Sequence, residues 1–393
     1  MANGNFGGGV GTADKPFLVE DGLDFYAIRN NLAASYKQVA DIDMTGIIFK
    51  PIGDLDNIFT GNYDGQFYKI SNLTMDYDVP YVPPEGWEHK YKYIAIFAHT
   101  KNNTLSRMIV ESARLTISIE GYNKYMIGVL CGYSDNTTIS QCSVHGLLDV
   151  DLKGPIMDSP GYNSRIGGMV GHFLRSKSDR SSSNVAVDVY GKFYQTNLAI
   201  SGMFGALHNS VVNDCYTLSS ISTRLIYDNP TVYQNPELAP VMDYNVQICG
   251  FAFVRDNDSS VSVKNCYAVS NRTVTEINPQ YLYHEHDKIH VWKYGFTPIA
   301  QMNFTACYYI ADAEDNFHDN YDTVIDGRYN EPVISAGSQK TPTLMKQKAT
   351  FSGWNFVNLW TNIEGESYPF FNFTGKVNCK SAPMPISMRK MTY

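Results

Sequence analysis

One unit recurs along most of the chain and leaves few folds open to it. In its clearest form Ser201-Gly-Met-Phe-Gly205 is followed by Val211-Val-Asn-Asp-Cys-Tyr216. An apolar, glycine-bearing strand comes first, then a polar turn, then a second strand carrying a cysteine. Ile127–Gly132 leads in the same way to Ile139-Ser-Gln-Cys142, Ile248–Phe253 to Val263-Lys-Asn-Cys266, and Tyr294–Pro298 to Phe304-Thr-Ala-Cys307. Ile166–Gly171 leads to Ser182-Ser-Asn-Val185, Ile94–Ala98 to Leu105-Ser-Arg-Met108, and Gly61–Gly65 to Ile70-Ser-Asn-Leu73. The pairs Ile70/Leu73, Leu105/Met108, Ile139/Cys142, Val212/Cys215, Val263/Cys266 and Phe304/Cys307 are each three residues apart. Unrelated hairpins would not share that spacing.

Self-similarity at a period of a few tens of residues marks a solenoid, in which each unit buries its face only against its neighbours. Apolar and polar residues alternate here, and Val, Ile, Thr and Tyr dominate, so the units are strands. The expected fold is all-β: a parallel β-solenoid (β-helix) with one repeat per coil, an N-terminal capping helix and an aromatic C-terminal cap. Cys142, Cys215, Cys266 and Cys307 share one repeat position, which Leu73, Met108 and Val185 fill in other units. A column open to Cys, Leu, Met and Val is a buried apolar column of inert thiols. Pairing of Cys131 with Cys142 or Cys249 with Cys266 needs a geometry that spacing alone does not give.

The ends differ from the middle. The chain divides into a Gly-rich arm (1–11), an N-terminal strand-helix-strand cap (12–58), the repeats (59–316), a C-terminal cap (317–375) and an extended tail (376–393). Asp21–Ala34 is expected to be a helix, with Asp21 and Asp24 in its first turn and Leu23, Phe25, Ala27, Ile28 and Leu32 as its apolar stripe. Tyr36–Met44 is expected to return to strand. Thr343–Lys348 reads as a short helix, and Phe351, Trp354, Phe356 and Trp360 supply apolar surface for the C-terminal cap. In the tail Met384, Ile386 and Met388 alternate between prolines and are candidate assembly contacts.

The opening is also specific in its motifs. Gly11-Thr-Ala-Asp-Lys-Pro-Phe-Leu-Val, then Ile28-Arg-Asn-Asn-Leu, then Tyr36-Lys-Gln-Val-Ala-Asp-Ile-Asp-Met run in that order. Phe59-Thr-Gly-Asn-Tyr-Asp-Gly and Lys69-Ile-Ser-Asn-Leu-Thr follow. Together with the later Asn-Cys-Tyr units, and with Trp354, Trp360 and Glu364-Gly-x-x-Tyr368-Pro369 near the end, this resembles the GLUG-motif repeat proteins over roughly residues 7 to 371. Ser182–Val185 departs from the pattern, with the expected Ile and Cys replaced. The resemblance implies a β-solenoid in surface-exposed proteins, among them bacterial adhesins and bacteriophage tail or appendage proteins.

Met1–Gly9 holds neither a basic nor an apolar leader region, so no secretory signal peptide is read there. A virion protein needs none, because it is made in the host bacterial cytoplasm and leaves by lysis. The expectation is therefore a structural virion protein of a bacteriophage, a tail-associated appendage contacting a host surface glycan or protein. Its partners would be other virion proteins, tail or capsid, bound through the termini, or further copies of itself. A phage depolymerase (glycan hydrolase or lyase) built on a β-helix and a bacterial surface adhesin are the alternatives. The net charge of −8 argues against a nucleic-acid partner, which calls for a basic stripe. No run of about 18 apolar residues marks a membrane span.

Recognition residues are expected in the inserts at 77–93, 226–245 and 277–294, because inserts in a solenoid map to one face and loops carry specificity. The candidates are Tyr81, Trp87, Tyr91, Tyr233, Tyr281, Tyr283 and Trp292, whose rings suit sugar or protein contacts or else cover the solenoid's own side. His284, His286 and His290 form the one metal-like cluster. A solvated loop is the simpler account, and neither a metal nor a cofactor is assigned. Asp149, Asp151 and Asp188 follow the repeat strands and bear on glycoside hydrolysis, which needs two carboxyl groups about 5–9.5 Å apart. With 39 Asp and Glu residues in the chain such proximity is expected by chance, so no catalytic residue is assigned.

Overall fold

A computed structural model describes residues 6–80, 91–120, 124–153, 163–193, 197–227, 243–254, 260–279, 288–298, 303–310, 322–324 and 336–373. The fold is the expected parallel β-solenoid. Each full coil runs through four walls. In one coil these are Lys124–Ile127, Cys131–Asp135, Thr138–Ser140 and the long Ser143–Lys153. The next coil repeats them as Asn163–Gly167, Val170–Leu174, Lys177–Asp179 and Ser182–Phe193. Stacking gives a first wall of seven strands, a second of five, a third of nine and a fourth of ten. Pairing along the walls is parallel, apart from Asp322–Val324, which runs antiparallel to Lys288–Tyr294.

The three-residue spacing places one side chain on each side of a corner. Leu105, Ile139, Val212, Val263 and Phe304 form a column on the third wall, and Met108, Cys142, Cys215, Cys266 and Cys307 line up just past the corner. The corner residue before that second column is left-handed throughout. Arg107, Gln141, Arg180, Asp214, Asn265 and Ala306 have φ between +49° and +58°. After glycine, Asn and Asp tolerate this conformation best, which accounts for Asp214 and Asn265 before Cys215 and Cys266. All six described cysteines are buried and free, so neither Cys131–Cys142 nor Cys249–Cys266 is a disulfide.

The register corrects two alignments. In the divergent coil the replaced residues are Ser178 and Ser181, not Ser182 and Val185. Ser178 pairs with Ile139 and Val212, and Ser181 Oγ accepts from the Cys142 amide at 3.2 Å. Val185 pairs with Gly146, farther along the fourth wall. Two hydroxyls thus sit in a column of apolar groups and bond within it, as burial demands. Likewise Ile70 pairs with Val110 rather than Leu105, whose neighbour is Tyr63. Ile70/Leu73 shares the spacing but not the corner.

At the N-terminal end the helix is shorter than its pattern suggested. It covers Gly22–Ala27 and tightens to a 3-10 turn at Ile28–Asn30. Asp21 caps it, accepting from the Leu23 and Asp24 amides. Buried Asp24 turns back to accept from the amides of Phe6 and Glu20. Leu23, assigned to the apolar stripe, is exposed, and Phe25 and Ile28 carry the packing. Tyr36–Met44 is broken into Tyr36–Gln38 on the third wall and Ile42–Asp43 on the fourth, because it turns a corner.

The C-terminal segment has 3-10 turns at Leu344–Lys346 and Lys348–Thr350. It lays Phe351, Trp354, Trp360, Tyr368 and Phe371 along the flank of the fourth wall, against Tyr216 and Tyr267. Tyr216 and Tyr267 stack at 5.1 Å with planes 3° apart. The Tyr267 hydroxyl donates to the Pro369 carbonyl, and Trp360 Nε1 to Asp214 Oδ1.

Candidate functional site

Each return from the fourth wall to the next first wall passes through one edge. The segments 80–90, 120–123, 154–162, 194–196, 228–242 and 280–287 all lie between a fourth-wall strand and the following first-wall strand. The described strand ends that bound the three aromatic inserts therefore share a single edge, as a shared scaffold dictates. Tyr81, Trp87, Tyr233, Tyr281 and Tyr283 lie outside the described residues, as do His284, His286, Met384, Ile386 and Met388. His290 is described only as part of a strand pairing with Asn245. Among the described residues no group of three or more His, Cys, Asp or Glu is placed to hold a metal, and no helix is long and apolar enough to cross a membrane.

Beside that edge the first and second walls meet in a groove. First-wall strands turn Ile94, Ile127, Ile166, Ile200 and Ile248 into the core. The opposite face carries Tyr93, Met126, Arg165, Ala199, Gln247 and Trp292 in register. The second wall approaches this sheet so closely that it needs glycine. A Cβ on Gly171 would lie 2.5 Å from the Ile127 nitrogen and 2.6 Å from the Gly132 carbonyl oxygen. One on Gly132 would lie 2.9 Å from the Ile94 nitrogen and 3.0 Å from the Met126 carbonyl oxygen. The repeat's second glycine is thus a close-approach residue.

The residue after that glycine faces the groove. Tyr133 stacks on Tyr93 at 5.0 Å and 14°. His99 stands edge-on to both, at 5.1 and 5.2 Å, and His172 continues the row 5.2 Å from Tyr133. Burial raises the Tyr93 and Tyr133 hydroxyls above the ordinary tyrosine range and lowers His99. His172 is pushed down to about 3 by burial and, next, by the electrostatic influence of Arg165 and His208. It is therefore neutral near pH 7. Both of its ring nitrogens are shielded from solvent, and neither has a protein partner.

Around His172 the groove widens into a cleft of about 270 Å³. Tyr91 and Lys124 stand at its insert side, with Lys124 Nζ 5.2 Å from the Tyr91 ring. On the other side Arg165 lies 4.6 Å over Phe253, and its Nη1 donates to the carbonyls of Ser164 and Asn197. His208, Met126, Ala206 and Leu207 complete the lining, which among the described residues includes no carboxylate. Of the sequence candidates, Tyr91 reaches this cleft. Trp292 packs farther along the same face, against the group holding Ala199, Ala206 and Phe253. His99, Tyr133, Arg165, His172 and Phe253 were missed. Their sequence signal is modest: His172 and Tyr133 directly follow the second glycine of a repeat.

Asp149 pairs with Asp188 on adjacent strands of the fourth wall, and Asp151 with Tyr190. Asp149 is buried, and burial raises Asp151 above the usual carboxylate range. The thiols of Cys131, Cys142 and Cys249 are pushed up to about 12 by burial, which makes them poor nucleophiles.

No family model matches the chain. A crystal structure from Bacteroides ovatus, of a protein described as a candidate immunoglobulin A1 protease, superposes with a TM-score of 0.57 at 18% identity, covering 94% of this chain and 95% of that one. At that identity the likeness shows the shared fold. A 76-residue stretch, 17% of the chain, is 36% identical to a protein of Evansella cellulosilytica described as a candidate Gly-rich membrane protein, and spans 9% of it. Another of 176 residues, 42% of the chain, is 30% identical to halomucin of Haloquadratum walsbyi and spans 2% of it. The matches cover less than a tenth of either relative's length.

Proposed function

We propose that the chain is a non-enzymatic recognition solenoid of the GLUG-motif type, displayed at a surface, with the groove between the first and second walls and the adjoining insert edge as its binding face. The observation that carries this reading is the coincidence of the two: the strand ends that bound the returns share one edge, and the described cleft opens beside it. A rigid scaffold presenting variable loops next to a preformed cleft is suited to binding.

For the setting, we infer a bacteriophage tail appendage that contacts a host surface glycan or protein. The motif resemblance supports it. The names of the partial relatives, halomucin and a Gly-rich membrane protein, fit a cellular adhesin and keep that second reading open. Binding is tested with the purified full chain and envelope preparations of the bacterium that carries its gene or hosts its phage. Saturable retention is expected, and its absence refutes the reading. Release of reducing sugar would replace it with a depolymerase. Immunogold labelling of particles supports the virion setting, and labelling of uninfected cell envelopes the adhesin.

A further inference from the structure

The two ends of the array are finished differently. At the start, the first strand of the third wall, Phe17–Val19, is covered by the glycine-rich arm. The Gly7 amide donates to the Leu18 carbonyl and the Leu18 amide to the Gly8 carbonyl, both at 2.9 Å. The first strand of the fourth wall, Ile42–Asp43, has the capping helix against it, where a Cβ on Gly22 would sit 3.1 Å from the Asp43 carbonyl oxygen. At the far end the third wall finishes with Asn303–Thr305 and the fourth with Ser338–Lys340, and no described strand is stacked beyond either. Asn303, Thr305, Ser338 and Gln339 are exposed. The Thr305 carbonyl accepts inward, from the Asn265 amide at 3.0 Å, and the Ser338 amide donates inward, to the Cys307 carbonyl at 2.9 Å. Successive residues of a parallel ladder address opposite sides, so Phe304 and Gln339 turn their backbone N–H and C=O outward. An open row of this kind is a template for a further strand.

The chain carries a segment that fits this template. Met388-Arg-Lys-Met391 repeats the three-residue spacing of Leu105/Met108 and Val212/Cys215. Its Lys390 falls where Arg107 and Arg180 occupy the left-handed corner. The segment belongs to the tail that follows Phe373, and Phe373 lies 5.2 Å from Phe67, in an early coil. The tail thus starts far from its own open edge. From Lys69–Ser71 to Ser338–Lys340 is seven strand spacings along the fourth wall, about 34 Å at the usual distance between strands. Retracing it costs conformational entropy at every residue ordered on the way. In a second copy stacked end to end, the early coils come up to the open edge instead. We propose that copies of this chain assemble head to tail, with residues 388–393 of one copy added as a further corner to Asn303–Thr305 and Ser338–Lys340 of the next. Met388 then extends the third-wall column that ends in Phe304, and Met391 the column that ends in Cys307. The contact is strand addition. It joins two different surfaces, so repetition gives chains of copies and not a two-fold dimer. The assembly does not depend on what the groove binds.

The test uses the full chain in sedimentation velocity. Its weight-average mass is expected to rise at least twofold from dilute to concentrated solution. Gln339→Pro removes the outward N–H of an edge strand while leaving the inward Ser338 bond in place, and it should hold the protein at the monomer mass. Met391→Asp, which places a charge in an apolar column, should do the same. The two variants have complementary defects, since one keeps the tail and the other keeps the edge. Mixed, they are expected to pair into a dimer and to grow no further. Thermal melts establish that each variant is folded, and Met391→Asp serves if Gln339→Pro is not. A wild-type mass that stays monomeric at every concentration overturns the proposal, and that is also the result if the tail folds back onto its own edge. Association that survives both substitutions overturns it too, as does a mixture of the two folded variants that fails to pair.

Discussion

Two rows of aromatic rings run along this solenoid, and they have opposite fates. On the fourth wall Tyr216 and Tyr267 are sealed by the chain's own C-terminal segment, with Trp360 wholly buried and the Tyr267 hydroxyl satisfied by a backbone carbonyl. Between the first and second walls Tyr93, Tyr133, His99 and His172 form a comparable row. That row borders an open cleft, and the nitrogens of His172 are left without partners. A stacked column is what any in-register repeat makes of a ring. Whether it serves stability or recognition depends on what covers it.

The contrast can be broken by removing a ring from each row. Trp360→Ala is expected to cost about 3–5 kcal/mol, as for other fully buried large aromatics, measured by denaturant unfolding. Tyr133→Ala, in the half-open row, should cost distinctly less, with a stacking loss of about 0.5–1.5 kcal/mol beyond lost burial. Equal losses would mean that the groove is ordinary core. Gly171→Ala probes the approach that makes the groove. A new Cβ against backbone at 2.5 Å should cost about 1–3 kcal/mol, and an unchanged midpoint would show that the two walls are not in tight contact.

A smaller effect is expected with pH. Since the folded protein holds His172 at about 3, below the ordinary value near 6.5, the unfolded chain binds the extra proton first. The contribution is present in full above about pH 6.5 and is lost progressively as pH falls toward 3. His99 and His145, also lowered mainly by burial, act with the same sign. His172→Phe should therefore flatten part of the stability loss between those limits. A steeper loss would contradict a neutral His172. The smallest effect is none at all: Cys131, Cys142 and Cys249 should resist iodoacetamide in the native protein at pH 8, scored peptide by peptide. Rapid labelling of any of them would show an opening that the walls do not have.

The parallel coils were legible because an in-register repeat writes its side-chain spacing directly into the sequence, as Val212/Cys215 and Val263/Cys266 do. Alignment failed where spacing and corner part company. Ser178 and Ser181 keep the positions of Ile139 and Cys142 but not their hydrophobicity, so an apolar template slid to Val185. The helix was overextended because Leu23 fits the 3.6-residue period while facing solvent. The cleft was nearly invisible in sequence. Tyr91, Arg165, His172 and Phe253 come from four coil segments, and what unites them is a fold of one sheet onto another that only the repeat glycines foreshadow. Where Asp149 and Asp188 are concerned, chance proximity was expected, and they do lie abreast.

The aromatic seam on the fourth wall also reaches farther than the coils it covers. Phe371 stacks on Phe373 at 5.0 Å, and Phe373 in turn lies 5.2 Å from Phe67, in a turn near the start of the array. A simple solenoid behaves like a zipper, fraying coil by coil from whichever end is weaker. Here a strap from the late coils is fastened to an early one, so the array resembles a buckled belt more than an open zipper. Stretching or melting it should engage early and late coils together. Phe373→Ala would undo the buckle, and hydrogen exchange at Lys69–Ser71 is expected to rise while exchange at Ile127 stays unchanged.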